Sequence, residues 1–159
     1  MATGAPFVTV LCVDDSKNAE QAFNYYTSCI HKPDNKLIIL HVTVLPAVPA
    51  LAISAPTSGS VPFEDFKKTM KNIVDESKVI EGRYNSLCNQ LGIQHQFDMY
   101  HPNGSVGEAI VDQAKKRDAN LVVMASRSQT FSRALLGSTS DYVLHHSTIP
   151  VLICPEQRQ

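Results

Sequence analysis

The stretch Leu121-Val-Val-Met-Ala-Ser-Arg-Ser-Gln-Thr-Phe-Ser-Arg-Ala-Leu-Leu-Gly-Ser-Thr-Ser-Asp-Tyr-Val-Leu-His-His-Ser-Thr-Ile-Pro-Val-Leu-Ile-Cys-Pro155 decides the fold. It opens on an unbroken apolar run, Leu121 to Ala125, with the length and β-branched content of a strand buried on both faces, which is the habit of parallel sheets. The loop that follows, Ser126 to Gly137, carries Arg127 and Arg133 and no acid. Its end, Gly137-Ser138-Thr139-Ser140, reads as a glycine turn feeding hydroxyl caps into a helix over Asp141 to His146. A helix starting there offers unpaired backbone N–H groups and a positive dipole end to an anion. Ile149-Pro-Val-Leu-Ile-Cys154 then returns as a last short strand. A loop and a helix N-terminus just beyond the carboxyl end of a parallel strand form the place where open α/β sheets bind ligands.

Upstream, the same alternation of strand and helix repeats. Phe7 to Val13 is β-rich and ends in acids, and Ser16 caps a helix with Ala19, Ala22, Phe23, Tyr26 and Ile30 on one face. His31-Lys-Pro-Asp-Asn35 is a turn cluster, and Lys36 to Val42 is a second buried strand. Residues 43–62 hold Pro46, Pro49, Pro56 and Pro62 without a charge, so they read as a flexible Pro-rich loop, either a lid or a surface crossover. Phe63, Phe66, Met70, Ile73, Ser77, Ile80, Tyr84, Leu87 and Leu91 recur at spacings of three and four, which predicts one long amphipathic helix ended by Gly92. Ile93 to Tyr100 alternates as a half-exposed edge strand does. Asn103-Gly104-Ser105 turns into a helix from Val106 to Arg117, with Val106, Ile110 and Ala114 facing inward. The order βα, βα, βα, βα, β predicts a doubly wound parallel α/β sheet of five strands, and the strand orders 2-1-3-4-5 and 3-2-1-4-5 both fit.

A chain of 159 residues fits one domain, 1–159, large enough to bury a core without disulfides or a structural metal. Hydrophobic content of 43% with 18% charged residues argues against disorder, and a net charge of -1 gives no basic surface for nucleic acid. Cys12, Cys29, Cys88 and Cys154 make no Cys-x-x-Cys pair and have no histidines at zinc-finger spacing, so they read as reduced, mostly buried thiols. The N-terminal apolar run has no basic leader and enters Asp14-Asp15, so it reads as a strand and not as a signal peptide. No apolar stretch approaches the roughly 20 residues that span a bilayer. The expectation is a cytoplasmic protein without membrane or nucleic-acid partners, in which the Asn103-Gly-Ser105 sequon is a turn.

Leu-Leu-Gly-Ser-Thr-Ser-Asp-Tyr-Val-Leu-His-His-Ser-Thr-Ile-Pro-Val, residues 135 to 151, resembles the signature of the universal stress protein family. Val13-Asp14-Asp15-Ser16 is similar to that family's first strand end, and Leu40-His41-Val42 to its second. The resemblance implies the order 3-2-1-4-5 of the adenine nucleotide alpha hydrolase-like fold, binding of ATP or AMP, and a homodimer active in stress response. The edge strand Val151 to Cys154 is the expected dimer contact. Nucleotide-binding members carry Gly-x2-Gly-x9-Gly-[Ser/Thr]. Here Ala125 and Ser128 stand where the first two glycines belong, and eight residues separate Ser128 from Gly137, while Gly137-Ser138 is intact.

Carried onto matching positions, the resemblance implies Asp14 and Ser16 near the ribose and Val42 meeting adenine through its backbone. Met124, Ala125, Arg127 and Ser128 would line the loop, and Gly137, Ser138, Thr139 and Ser140 would hold phosphate. Each has a structural alternative: Asp14 capping the helix near Ser16, Arg127 as a solvated loop charge, Gly137 permitting a left-handed turn, and Ser138 or Ser140 capping a helix. A serine forced into a left-handed backbone costs about 1–2 kcal/mol and crowds a phosphate chain, so the replaced glycines point to weakened binding or to AMP over ATP. Mg2+ would enter only with a triphosphate. His145 and His146 are adjacent on a helix and point about 100° apart, so they read as structural and not as a metal site. His41 ends a strand near the site. No nucleophile and base stand at recognisable spacing and there is no Gly-x4-Gly-Lys-[Ser/Thr], so catalysis is not expected beyond slow ATP hydrolysis. Two other readings stay open: a scaffold of the same fold without nucleotide, and a slow ATPase or phosphotransferase.

Overall fold

Leu37-Ile-Ile-Leu40 is buried at every position, which a strand achieves only when both of its faces are covered. The computed structural model describes residues 4–47, 61–126 and 136–155 of the chain. Among them the chain runs β1 (Val8–Cys12), α1 (Lys17–Cys29), β2 (Lys36–Val42), α2 (Val61–Gln90), β3 (His95–Tyr100), α3 (Val106–Lys116), β4 (Leu121–Ala125), α4 (Ser138–His146) and β5 (Val151–Cys154). The five strands are all parallel in the order β3-β2-β1-β4-β5. This is the 3-2-1-4-5 arrangement, and the alternative 2-1-3-4-5 is excluded.

Covering both faces divides the core. Leu11, at the sheet centre, sits in register with Ile39 on β2 and Val123 on β4. These residues pack with Ala22, Phe23 and Tyr26 of α1 and Ile80, Tyr84 and Cys88 of α2. Val10, Ile38, Leu40 and Val122 point to the other face, against Ile110 and Ala114 of α3 and Val143 of α4. Each fully buried large side chain contributes roughly 1.5–3 kcal/mol, so the two layers hold the sheet independently of any single contact. The ring edge of Phe23 meets Tyr84 at 5.5 Å and 65°, joining α1 to α2.

Local chemistry sets the ends of the elements. Ser16 caps α1 by accepting the N–H of Ala19 at 3.1 Å, and Ser105 caps α3 by accepting that of Glu108 at 3.2 Å. The long helix follows the predicted stripe from Phe63 to Leu87, but Leu91 lies beyond its end and is exposed, while Cys88 takes the buried position. Gly92, at φ +65, ends the turn after it. The helix begins at Val61, inside the span expected as loop, because a proline in the first turn lacks only an N–H that has no intrahelical acceptor. Residues 48–60, the rest of the expected Pro-rich loop, lie outside the described residues.

The two edge strands are shorter than the sequence suggests. β3 begins at His95, and its Asp98 accepts Arg117 Nε at 2.9 Å, pinning that edge to the end of α3. β5 begins at Val151 and not at Ile149, because Ser147 Oγ accepts the N–H of Ile149 and donates to its carbonyl, closing a local turn.

Candidate functional site

Among the described residues the helices that follow β1 and β4 pack on opposite faces of the sheet, α1 in one core layer and α4 in the other, which leaves a crevice at the carboxyl ends of those two strands. A cleft of about 210 Å³ opens there. Asp14 and Ser16 line it from the β1–α1 turn, Val42 from the end of β2, Met124 and Ala125 from β4, and Gly137, Ser138, Thr139 and Ser140 from the start of α4. Nine of the eleven residues singled out in sequence therefore surround one space. Arg127 and Ser128 lie outside the described residues.

The anion end differs from expectation in its details. α4 begins at Ser138, three residues earlier than the hydroxyl-cap reading, so Ser138, Thr139 and Ser140 form its first turn and do not cap it. Ser140 is buried and its Oγ donates to the Gly137 carbonyl at 2.9 Å. The cap itself is Gly137, which has no side chain to satisfy the first amides. Its φ of -62 and ψ of 153 are extended, so it does not provide the left-handed turn expected of it. What glycine supplies here is an uncapped helix end facing the cleft.

Ala125 likewise costs no backbone strain, because it is an ordinary strand residue paired with Cys154. Its methyl group instead occupies part of the lining. Asp14 takes the structural role open to it: its Oδ1 accepts the backbone N–H of Ser16 at 2.9 Å and Ser16 Oγ at 2.5 Å. It does so while lining the cleft.

Several lining residues carried no sequence signal. Cys12, Leu40, Val106 and Ile110 form an apolar wall under the strand ends, which periodicity alone marks only as core. Burial pushes the Cys12 thiol up to about 12, so it is not a nucleophile near neutral pH. Asn18 Nδ2 donates to the Ser126 carbonyl at 3.1 Å, tying the start of α1 to the residue that follows β4. No spacing rule predicts a contact between residues so far apart in the chain.

Asp15, next to Asp14 in the chain, does not line the cleft. It turns to the α2 side and pairs with Arg83 at 2.6 Å. His41 also lies on that side, buried, with Nδ1 donating to the Val13 carbonyl at 2.9 Å and Nε2 accepting from Thr43 Oγ1 at 2.7 Å. It braces the strand ends and does not line the cleft. His146 stacks on Tyr142 at 3.9 Å and His145 approaches Asp141 at 3.5 Å, so the two histidines do not converge. Among the described residues no group of three or more His, Cys, Asp or Glu could hold a metal ion, and no helix is long and apolar enough to cross a membrane.

Comparison with known proteins agrees with the fold. The model of the universal stress protein family matches residues 8–155. Universal stress protein Slr1230 of Synechocystis is 24% identical over 163 aligned residues, covering 94% of this chain and 55% of that protein, so the chain spans about half of that relative. Among solved structures, hypothetical protein MJ0577 superposes with a TM-score of 0.72 at 21% identity, over 96% of this chain and 97% of that one. A universal stress protein family protein of Arabidopsis thaliana, At3g01520, solved with AMP bound, gives a TM-score of 0.62 at 17% identity, over 96% and 93% of the two chains. At these identities the likeness to solved structures establishes a shared fold.

Proposed function

The chain belongs to the universal stress protein family, and from that premise we propose that it binds an adenine nucleotide in the cleft between β1 and β4 and serves stress response as a regulatory module. In this reading Val42 meets adenine through its backbone, Asp14 and Ser16 hold the ribose side, and Met124, Ala125, Arg127 and Ser128 frame the loop. The first turn of α4, from Gly137 to Ser140, takes the phosphate with backbone N–H groups and hydroxyls.

The observation that carries the proposal is the glycine-capped start of α4 lining the same cleft as Asp14 and Val42. An apolar wall, a polar turn and an uncapped helix dipole are the three surfaces that a base, a ribose and a phosphate require. AMP is the preferred ligand. The replaced glycines support it, since the Ala125 methyl group lines the cleft where the matching position of nucleotide-binding members has none. Mg2+ enters only with a triphosphate. The role is binding with at most slow hydrolysis, since the Cys12 thiol stays protonated and the hydroxyl that meets a carboxylate, Ser16 on Asp14, is engaged in capping α1. The proposed assembly is a cytoplasmic homodimer joined through β5.

The test is a thermal-shift series with AMP, ADP and ATP. A ligand at about 100 times its dissociation constant stabilises by about 2.7 kcal/mol. The expected order of shifts is AMP above ATP. Flat curves with all three overturn the proposal and leave the fold as an interaction scaffold.

A further inference from the structure

Gly107, the second residue of α3, is buried against α4, and a Cβ built on it would meet Tyr142 Cδ1 at 2.8 Å, Cβ at 2.9 Å and Cγ at 3.0 Å. Of these atoms Cβ is fixed by the tyrosine's own backbone, so no side-chain rotation relieves that contact. The ring is further held by stacking on His146 at 3.9 Å and 8°, and the next residue, Val143, is fully buried in the core. A methyl group at 107 therefore has to be accommodated by moving α4 as a body.

That movement would reach the cleft from both of its sides. Val106 and Ile110, flanking Gly107 on α3, line the apolar wall, and Ser138 to Ser140, one turn before Tyr142, line the opposite end. The rise of about 1.5 Å per residue puts Ser138 only about 6 Å along the axis from Tyr142, too short a lever for the helix to absorb a shift by bending. Hydrogen bonds from helix amides to an anion weaken steeply with misplacement of this order.

We infer that Gly107 is a positioning residue: with Tyr142 it sets the standoff of α4 from α3, and so the place at which the first turn of α4 meets the ligand's phosphate. The inference rests on the proposed nucleotide site and goes beyond it, because neither residue lines the cleft. It makes the pair's combined size, and not either residue alone, the determinant.

The experiment is a double-mutant cycle read by calorimetric titration with AMP and with adenosine, which shares the base and ribose but lacks the phosphate. Gly107→Ala is expected to weaken AMP about tenfold, equivalent to about 1.4 kcal/mol, while adenosine changes less than about threefold. Alanine at 142 would keep the Cβ that lies at 2.9 Å, so the partner variant is Tyr142→Gly, and adding it to Gly107→Ala is expected to bring AMP back to within about threefold of the Tyr142→Gly single variant. If Gly107→Ala does not fold, the comparison of the double variant with Tyr142→Gly carries the test, and a loss of about tenfold there overturns the inference. Equal losses for AMP and adenosine overturn it too, as does unchanged AMP affinity in Gly107→Ala. Failure of the wild-type protein to bind AMP removes the nucleotide reading and this inference together, whereas a binding wild type with an indifferent Gly107→Ala removes this inference alone.

Discussion

Asp14 and Ser16 form a closed relay in which Asp14 Oδ1 takes both the backbone N–H of Ser16 and its Oγ, and Ser16 Oγ takes the N–H of Ala19. The carboxylate thus orients the hydroxyl that caps α1, and both residues also border the cleft. Ser16→Ala removes the cap and is expected to cost about 1 kcal/mol, whereas Ser16→Thr, which keeps a hydroxyl to donate to Asp14 and to accept from Ala19, should cost less. Urea unfolding midpoints at constant slope measure the difference. Equal midpoints for Ser16→Ala and the wild type would show that the relay does not support α1.

Gly137 leaves the start of α4 without a side-chain cap. Gly137→Asp fits the extended backbone found there, since φ of -62 suits any residue. Its carboxylate would cap the first turn and favour the helix dipole, raising stability by about 0.3–1 kcal/mol. The same carboxylate occupies the anion position and repels phosphate, so AMP affinity should fall while the melting temperature holds or rises. A variant that gained stability and kept its AMP affinity would separate α4 from the phosphate.

Sequence reasoning located the strands well because the physics that marks them is local. Leu121 to Ala125 reads as a buried strand and is one, and the stripe on α2 reads as a core face and packs as one. Ends and caps were harder. Gly137 signalled a special backbone, but the structure uses its missing side chain and not its tolerance of positive φ. Leu91 continued a period that the helix no longer followed once Gly92 turned the chain. The strand order was legible through family resemblance, since strand and helix spacing alone left two orders standing. Contacts that depend on tertiary placement, such as Asn18 with Ser126 or Gly107 with Tyr142, left no mark in the one-dimensional pattern.

Burial pushes the thiol of Cys12 up to about 12 and that of Cys88 up to about 11, and raises Cys154 in the same direction. Because the folded state holds these protons more tightly than the unfolded chain, with its ordinary value of 9.0, their contribution is complete below about pH 9. It is lost as pH rises from there towards 11 and 12. Stability should therefore fall in alkali, by up to about 1.4 kcal/mol per pH unit for each thiol in that window. Denaturant titrations at pH 8 to 10.5 check this, and Cys12→Val should give a shallower decline than the wild type. The exposed Cys29 should be alkylated first by iodoacetamide at pH 8, with the thiols of Cys12, Cys88 and Cys154 lagging.

β5 is the outermost strand of the sheet among the described residues, and its outer edge has a direction that the backbone fixes. The carbonyls of Pro150 and Cys154 accept the N–H groups of Val122 and Ser126, each at 2.9 Å, so the even-numbered residues of this strand face β4. In a parallel ladder alternate residues turn their amide groups to opposite sides, which directs the N–H groups of Val151 and Ile153 to the open edge. Ile153→Pro removes an outward N–H and leaves the bonds to β4 in place, a position where edge strands tolerate proline. If two copies pair through this edge as proposed, sedimentation velocity should find the wild type as a dimer and Ile153→Pro as a monomer, with the far-ultraviolet circular dichroism of the two alike. A variant that remained dimeric would move the contact away from β5. Proline also removes the side chain that packs over α3 and α4, so Ile153→Ala, which thins the same layer but keeps the outward N–H, is the control and should remain a dimer.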